Sequence, residues 1–536
     1  MKPQNMNMKT TWLNTALPSS PASRRTFLRH AGAMGVLAGA GAPMALNLLA
    51  AGSAAAQAAG DYKALVCLFL FGGNDAYNMV LPTDAASWAP YSSTRNQAPD
   101  SIALLASGTL PNAGAAVASP ARLGGVLPIN ALNAQALNTG RSFALHPLMG
   151  TLQTMFDTDR RLAIVPNIGP LIRPTTKVQY GQSSFPKPAR LFSHNDQQNT
   201  WQALAAEGAT RGWGGRMGDA LAALNTRTVF TSVSASGNAV WLAGQTVQQY
   251  QVGTSGAIRM GADSNGRVYG STDLAAVLQR VAAGSRGTHV FERDLAAVSA
   301  RSIDAEATLR TALKPASDAA FGTLPATGNY NANTDPKLLY DNPLTGAKSF
   351  NALAQQLQVV SRMIDAGVSG ATGVRRQVFF VSLGGFDTHD LQNRSHADLY
   401  ARVAHALRYF DTALGTLNVR SSVTTFTASD FGRTFTSNGD GTDHGWGSHH
   451  FVMGGAVKGG DVYGRFPTVG LKNANNNSFD SSPDQLGNGA LLPEVSVDQL
   501  GATLGRWFGV SDTGLADIFP NLANFDLAKR NLGFML

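Results

Sequence analysis

Seven consecutive apolar residues, Leu65-Val66-Cys67-Leu68-Phe69-Leu70-Phe71, run directly into Gly72-Gly73. A strand with one wet face alternates apolar and polar side chains, whereas an unbroken apolar run of strand length has both faces covered. Runs of the same kind occur at Leu162 to Ile168, Thr228 to Val233, Val378 to Leu383 and Val423 to Thr427, most of them ending in Gly, Asn, Asp or Ser. Helical periodicity lies between them. Phe350, Leu353, Leu357, Val360 and Ile364 recur at three and four residues, as do Leu399, Val403, Leu407, Phe410, Leu414 and Leu417. A last helix is predicted to start at Ser496, capped by its hydroxyl while Gln499 reaches back. Strands alternating with helices predict an α/β fold with a mainly parallel sheet sandwiched between helices, and ligands in such folds sit beyond the carboxyl ends of the strands. The stretches at 104 to 141, 234 to 275 and Asn473 to Asp480 read as surface insertions in one domain from about residue 59.

The first 58 residues read as a twin-arginine export signal: Arg24-Arg25-Thr26-Phe27-Leu28, an uncharged stretch from Ala31 to Ala51, and the A-x-A cleavage site Ala56-Gln57-Ala58. Gly and Ala make that stretch too weakly apolar for a retained membrane anchor. The expected location is therefore the periplasm or beyond, with no membrane span in the mature chain. Five of the 42 basic residues, and no acid, lie in this segment, so the formal charge of +8 falls to +3 once it is removed. No remaining segment carries a basic run with interleaved aromatics, which argues against nucleic-acid binding. A single cysteine, Cys67, rules out an internal disulfide and a cysteine metal site, and its apolar context makes it a packing residue.

Polar residues just after the predicted strands carry the chemistry. Gly72-Gly73 turns the chain and sets Asp75 at the sheet edge; Gly384-Gly385-Phe386-Asp387-Thr388-His389 places Asp387 and His389 at i and i+2, on one side of an extended segment. After the last of these strands come Asp430, Arg433 and then Asp443-His444-Gly445-Trp446-Gly447-Ser448-His449-His450. Asp and His without Cys suit zinc, manganese or a mixed two-metal site. His396 reads as a core or cap histidine on the apolar face of its helix, His405 as solvated, and Trp201, Trp213 and Trp446 as core.

Leu70-Phe71-Gly72-Gly73-Asn74-Asp75, Ser193-His194-Asn195-Asp196, Gly-Gly-Phe-Asp-Thr-His and Ser429-Asp430-Phe431-Gly432-Arg433-Thr434 followed by Asp-His-Gly resemble the DUF1501 family of exported bacterial proteins. That resemblance extends over nearly the whole mature chain and implies an alkaline phosphatase-like fold, shared with sulfatases and phosphopentomutases. It implies that Asp387 and His389 bind one divalent metal completed by His444 or His449, that Asp75 and Asp430 serve a second, and that Ser193 is the nucleophile, with Arg433 available to stabilise developing oxygen charge. Two departures stand out. Ser184-Phe185-Pro186-Lys187-Pro188 lacks the arginine of the sulfatase motif, and the adjacent Asp-His pair comes thirteen residues after Asp430 instead of at it. The expected function is a metal-dependent hydrolase of phosphate or related anionic esters, with a non-catalytic exported binding protein on the same fold as the alternative. No G-x-S-x-G elbow supports an acyl hydrolase.

Overall fold

In the computed structural model the described residues are 62–257, 262–263, 266–284 and 287–536, so the export signal read at 1–58 lies outside them. They belong to one compact unit.

The main sheet has eight strands. In chain order they are β1 Lys63–Phe71, β2 Leu162–Gly169, β3 Ser232–Ser234, β4 Gln249–Gln251, β5 Arg376–Gly384, β6 Val423–Ser429, β7 Ser448–Gly454 and β8 Val495–Ser496. Their spatial order is β8-β2-β7-β6-β1-β5-β3-β4. Every pairing is parallel except those of β7, which runs antiparallel to both β6 and β2. The apolar run at 65–71 is thus an interior strand, held between β5 and β6 with Lys63 opposite Arg376 and Phe71 opposite Gly384.

Its two faces feed two cores. Ala64, Val66, Leu68 and Leu70 pack with Leu357 and Val360 of helix Ala352–Val368 and with Tyr400, Val403 and Leu407 of helix Gln392–Thr416. Leu65, Cys67 and Phe69 pack on the other side with Trp213 and Met217 of helix Trp213–Leu221 and with Leu500 and Leu504 of helix Val497–Phe508. Each such side chain taken fully from water contributes about 1.5–3 kcal/mol, so an unbroken apolar run is stabilising where both faces of the strand are covered. The thiol of Cys67 and the indoles of Trp201, Trp213 and Trp446 are buried, as the sequence implied.

Three expectations need correction. The run Thr228 to Val233 is not one strand: Thr228–Phe230 forms a 3-10 turn and pairing starts only at Ser232. The reason is Asn225, whose amide donates to Thr231 Oγ1 (2.9 Å) and the Arg376 carbonyl (2.8 Å) and whose Oδ1 accepts from the Arg375 and Arg376 amides. One side chain therefore stands where a strand partner would. The insertions also contribute to the sheets, since Gln249–Gln251 is the edge strand β4 and Leu127–Ile129 pairs with Phe143–Leu145 in a three-stranded sheet. His405 is partly buried, taking a bond from Asn351 Nδ2 at 3.1 Å, and burial pushes its pKa down to about 4.

Helix Val497–Phe508 begins with the predicted capping box: Ser496 Oγ accepts from the Asp498 amide and Gln499 Oε1 from the Ser496 amide at 2.8 Å. Asp498 follows it into the interior. Burial raises its carboxyl to about 6, although Ser496 Oγ and the Asn521 amide both donate to it. A carboxyl whose folded pKa exceeds the unfolded value contributes stability in full below about pH 4, and that contribution disappears as the pH rises through about 6. Denaturant titrations of wild type and Asp498→Asn at pH 4 and pH 7 should therefore show wild type losing about 2 kcal/mol relative to the variant over that interval. An unchanged difference would contradict the burial assigned to this carboxyl.

Candidate metal centre

The carboxyl ends of β5, β1 and β6 lie side by side, and the loops leaving them meet. Gly72, at φ +115°, lets the chain leaving β1 pass against the next loop; a Cβ there would lie 2.3 Å from the Asp387 amide nitrogen. After β5 the chain turns at Gly385 (φ +105°), and tight turns close from Phe386 to Thr388 and from Asp387 to His389; these turns, not a continued strand, set His389 Nε2 3.1 Å from Asp387 Oδ1. After β6 the chain folds back on itself through a bridge between Arg433 and His444, with Gly432 and Gly445 approaching closely. This return carries His444 Nε2 to 3.4 Å from Asp387 Oδ1 and 3.0 Å from His389 Nε2. A fourth group enters from helix His194–Ala203: His194 Nε2 lies 3.3 Å from Asp387 Oδ2. His194, Asp387 and His444 each offer a ligand atom within 4.8 Å of the others, and His389 adjoins them.

Each imidazole is held from behind. His444 Nδ1 is 2.7 Å from the Phe192 carbonyl, which can only accept, so Nδ1 carries the proton and Nε2 presents its lone pair. His194 Nδ1 bonds Asp430 Oδ2 at 2.7 Å, and Gln198 donates to the same oxygen at 2.8 Å. His389 Nδ1 faces Asp443 Oδ1 at 3.3 Å. Outer acceptors of this kind fix the tautomer and orientation of metal-ligating histidines. With both Nδ1 atoms protonated, the Nε2 lone pairs of His389 and His444 face each other at 3.0 Å. Turning His389 to its other tautomer relieves that contact and sets a lone pair against the Asp443 carboxylate. A positive charge among the Nε2 atoms, whether a metal ion or a proton on one ring, resolves both conflicts.

Hydrogen bonding and burial act on the imidazoles in opposite directions. The hydrogen bond to Asp430 raises the His194 pKa, outweighing burial, whereas burial lowers that of His444. Burial pushes the Asp387 carboxyl upward, but the Arg433 hydrogen bond and charge, with the neighbouring imidazoles, hold it below its ordinary value. Asp387 and His389 are 44% exposed, so the centre opens to solvent.

Of the residues singled out from sequence, the structure brings Asp387, His389 and His444 together and sets Asp430 behind His194 as its orienting carboxylate. Asp430 Oδ1, fully buried, has no partner. Asp75 does not reach the cluster. It is fully buried in a two-point ion pair with Arg95 (2.6 and 3.1 Å) and caps the short helix Ala76–Met79. His449 lies on β7, where Nδ1 accepts from the Asn167 amide, the ring packs on Phe466, and burial drives its pKa to about 3. Ser193 Oγ donates to Asp196 at 2.9 Å instead of facing the imidazoles. Arg433 is fully enclosed and committed to Gly72 O, Asp387 and Thr442, so it positions Asp387 and does not touch a ligand. His194 was missed as a ligand although its segment drew attention, because it follows β2 only after a long loop.

No curated protein matches the chain. A solved structure of Ps i-CgsB in complex with k-i-k-neocarrahexaose aligns with 88% of this chain and 77% of its own at 10% identity, and its TM-score of 0.28 is too low to carry weight. The model of the DUF1501 family, described as a protein of unknown function, matches residues 62–519, which include every residue of the centre, and the chain belongs to that family.

Proposed function

We propose that this chain is an exported, metal-dependent hydrolase of the alkaline phosphatase-like superfamily that acts on phosphate or related anionic esters. One observation carries the reading: three Nε2 atoms converge on the carboxylate of Asp387, each imidazole held at Nδ1 by Asp430, Asp443 or the Phe192 carbonyl. The donor set, nitrogen and oxygen without sulfur, fits zinc or manganese. His194, His389, His444 and Asp387 would hold the ion, which would supply Lewis-acid polarisation of an ester oxygen. Three neutral imidazoles and one carboxylate leave a divalent ion with net positive charge at the solvent-facing side, which favours an anionic ligand. Support for the superfamily comes from the mainly parallel sheet and from a centre at the carboxyl ends of β1, β5 and β6. Support for export is the signal anatomy of residues 1–58; no described helix is long and apolar enough to cross a membrane.

A second reading, a metal-binding exported protein without catalysis, rests on Ser193 and Arg433. The hydroxyl of Ser193 is occupied by Asp196 and the guanidinium of Arg433 is fully enclosed, so neither group faces the centre as a nucleophile or an oxyanion donor. Hydrolysis would then depend on the ion and on groups supplied with the substrate.

Metal content separates these readings. Protein purified without chelator should contain about one zinc or manganese ion per chain by elemental analysis, and Asp387→Ala and His194→Ala should each lose it together with any hydrolysis of a generic phosphate ester. Chelation should lower the unfolding midpoint, since an ion present at about 100 times its Kd stabilises the folded state by about 2.7 kcal/mol. Metal uptake with no hydrolysis selects the binding reading; no uptake contradicts both. Export is tested separately: Arg24→Lys with Arg25→Lys should leave precursor in the cytoplasm, and mature protein beginning near Ala59 in the periplasm of that double variant would refute twin-arginine routing.

A further inference from the structure

Nine of the large hydrophobic side chains most exposed to solvent fall between Tyr269 and Val298, on a two-helix hairpin formed by α1 Thr272–Ala283 and α2 Val290–Ala312. The far half of α2 is anchored, with Ala305 and Leu309 in the core. Between the helices Ala275, Ala296 and Ser299 are buried. The opposite face of α1 carries Leu274, Val277, Leu278 and Val281, 38–54% exposed, and the near half of α2 adds Phe291, Leu295 and Val298, 50–77% exposed. Among the described residues nothing covers either stripe. The α1 stripe also forms one wall of a groove of about 700 Å³ whose other wall is the loop holding Val268 and Tyr269.

The spacing on α1 bears on the occupant. Positions 274, 277, 278 and 281 follow the i, i+3, i+4, i+7 pattern of an apolar helix face, and the pattern is symmetric about the point between Val277 and Leu278. A second α1 laid antiparallel across the first therefore matches Leu274 with Val281 and Val277 with Leu278, twice over. The charges fit the same operation. Asp273 and Arg280 lie one heptad apart on a single flank of the stripe and make no ion pair within the chain among the described residues. In an antiparallel pair that flank meets its own copy, so Asp273 faces Arg280 at both ends of the seam. A parallel pair would misplace both charges. A lipid surface is disfavoured because between 263 and 301 four acids stand against five arginines and no lysine, where a membrane-lying helix carries a strongly basic polar face.

We propose that this hairpin is a self-association element: two copies of the chain pair α1 antiparallel about a two-fold axis beside Val277 and Leu278, while Phe291, Leu295 and Val298 of each α2 complete a four-helix bundle. The interface is isologous and is independent of the metal centre.

Light scattering coupled to size-exclusion chromatography of the purified protein should give the mass of a dimer. Asp273→Arg and Arg280→Asp, both at exposed positions, should each weaken the dimer at least tenfold by setting like charges against each other at both ends of the seam, and the double variant should restore it. Val277→Asp should give a monomer. A monomeric wild type, single charge reversals as dimeric as the wild type, or a double variant no better than the singles would each overturn the proposal. So would a monomeric wild type that co-sediments with lipid vesicles through this face.

Discussion

A single enclosed cation, Arg433, holds the centre together. Its guanidinium donates to the Gly72 carbonyl beyond β1, to Asp387 beyond β5 at 2.7 Å, and to the Thr442 carbonyl and hydroxyl on the return after β6. Three loops from three adjacent strands are thereby fixed relative to one another by one side chain. Burying a guanidinium is costly unless its charge and donors are met, and removing one partner of such a pair leaves the other uncompensated. Asp387 is thus held in place by an arginine and faces three imidazoles.

A second enclosed pair stands behind the first. Arg95 spends all its donors on Asp75, Asn78, and the carbonyls of Thr434 and Phe435, and packs against the rings of Tyr77 and Tyr91. From Asp75 the bonds continue through Gln392 Nε2 (2.9 Å) and Gln392 Oε1 to Thr442 Oγ1 (2.6 Å), and so to Arg433. Asp75 therefore influences the centre without approaching it, as part of a satisfied buried network in which each member fixes its neighbour's orientation.

How much of this was legible follows from the range of each signal. The interior position of 65–71 could be read locally, because covering both faces of a strand leaves an unbroken apolar run, and Asp387 and His389 could be read because they follow directly on the carboxyl end of a strand, although turns and not an extended segment bring them together. His444 was open between two candidates, since only the fold-back at Arg433 decides it over His449. His194 could not be placed, because a helix start far from its strand says nothing about which loop it faces. Asp75 was misassigned for a related reason: its partner Arg95 ends helix Ala85–Arg95, and no spacing rule joins the two. Thr228 to Val233 failed because one asparagine, Asn225, replaced a strand partner.

The account stands on the claim that three imidazoles and one carboxylate from three separate segments form a single cation site. X-ray absorption at the metal edge of the purified protein tests it most directly. The prediction is a first shell of nitrogen and oxygen alone at about 2.0–2.2 Å, with the outer-shell scattering of three imidazole rings falling to two in His194→Ala. A shell with one imidazole or none, or one unchanged by His194→Ala, would contradict the site described.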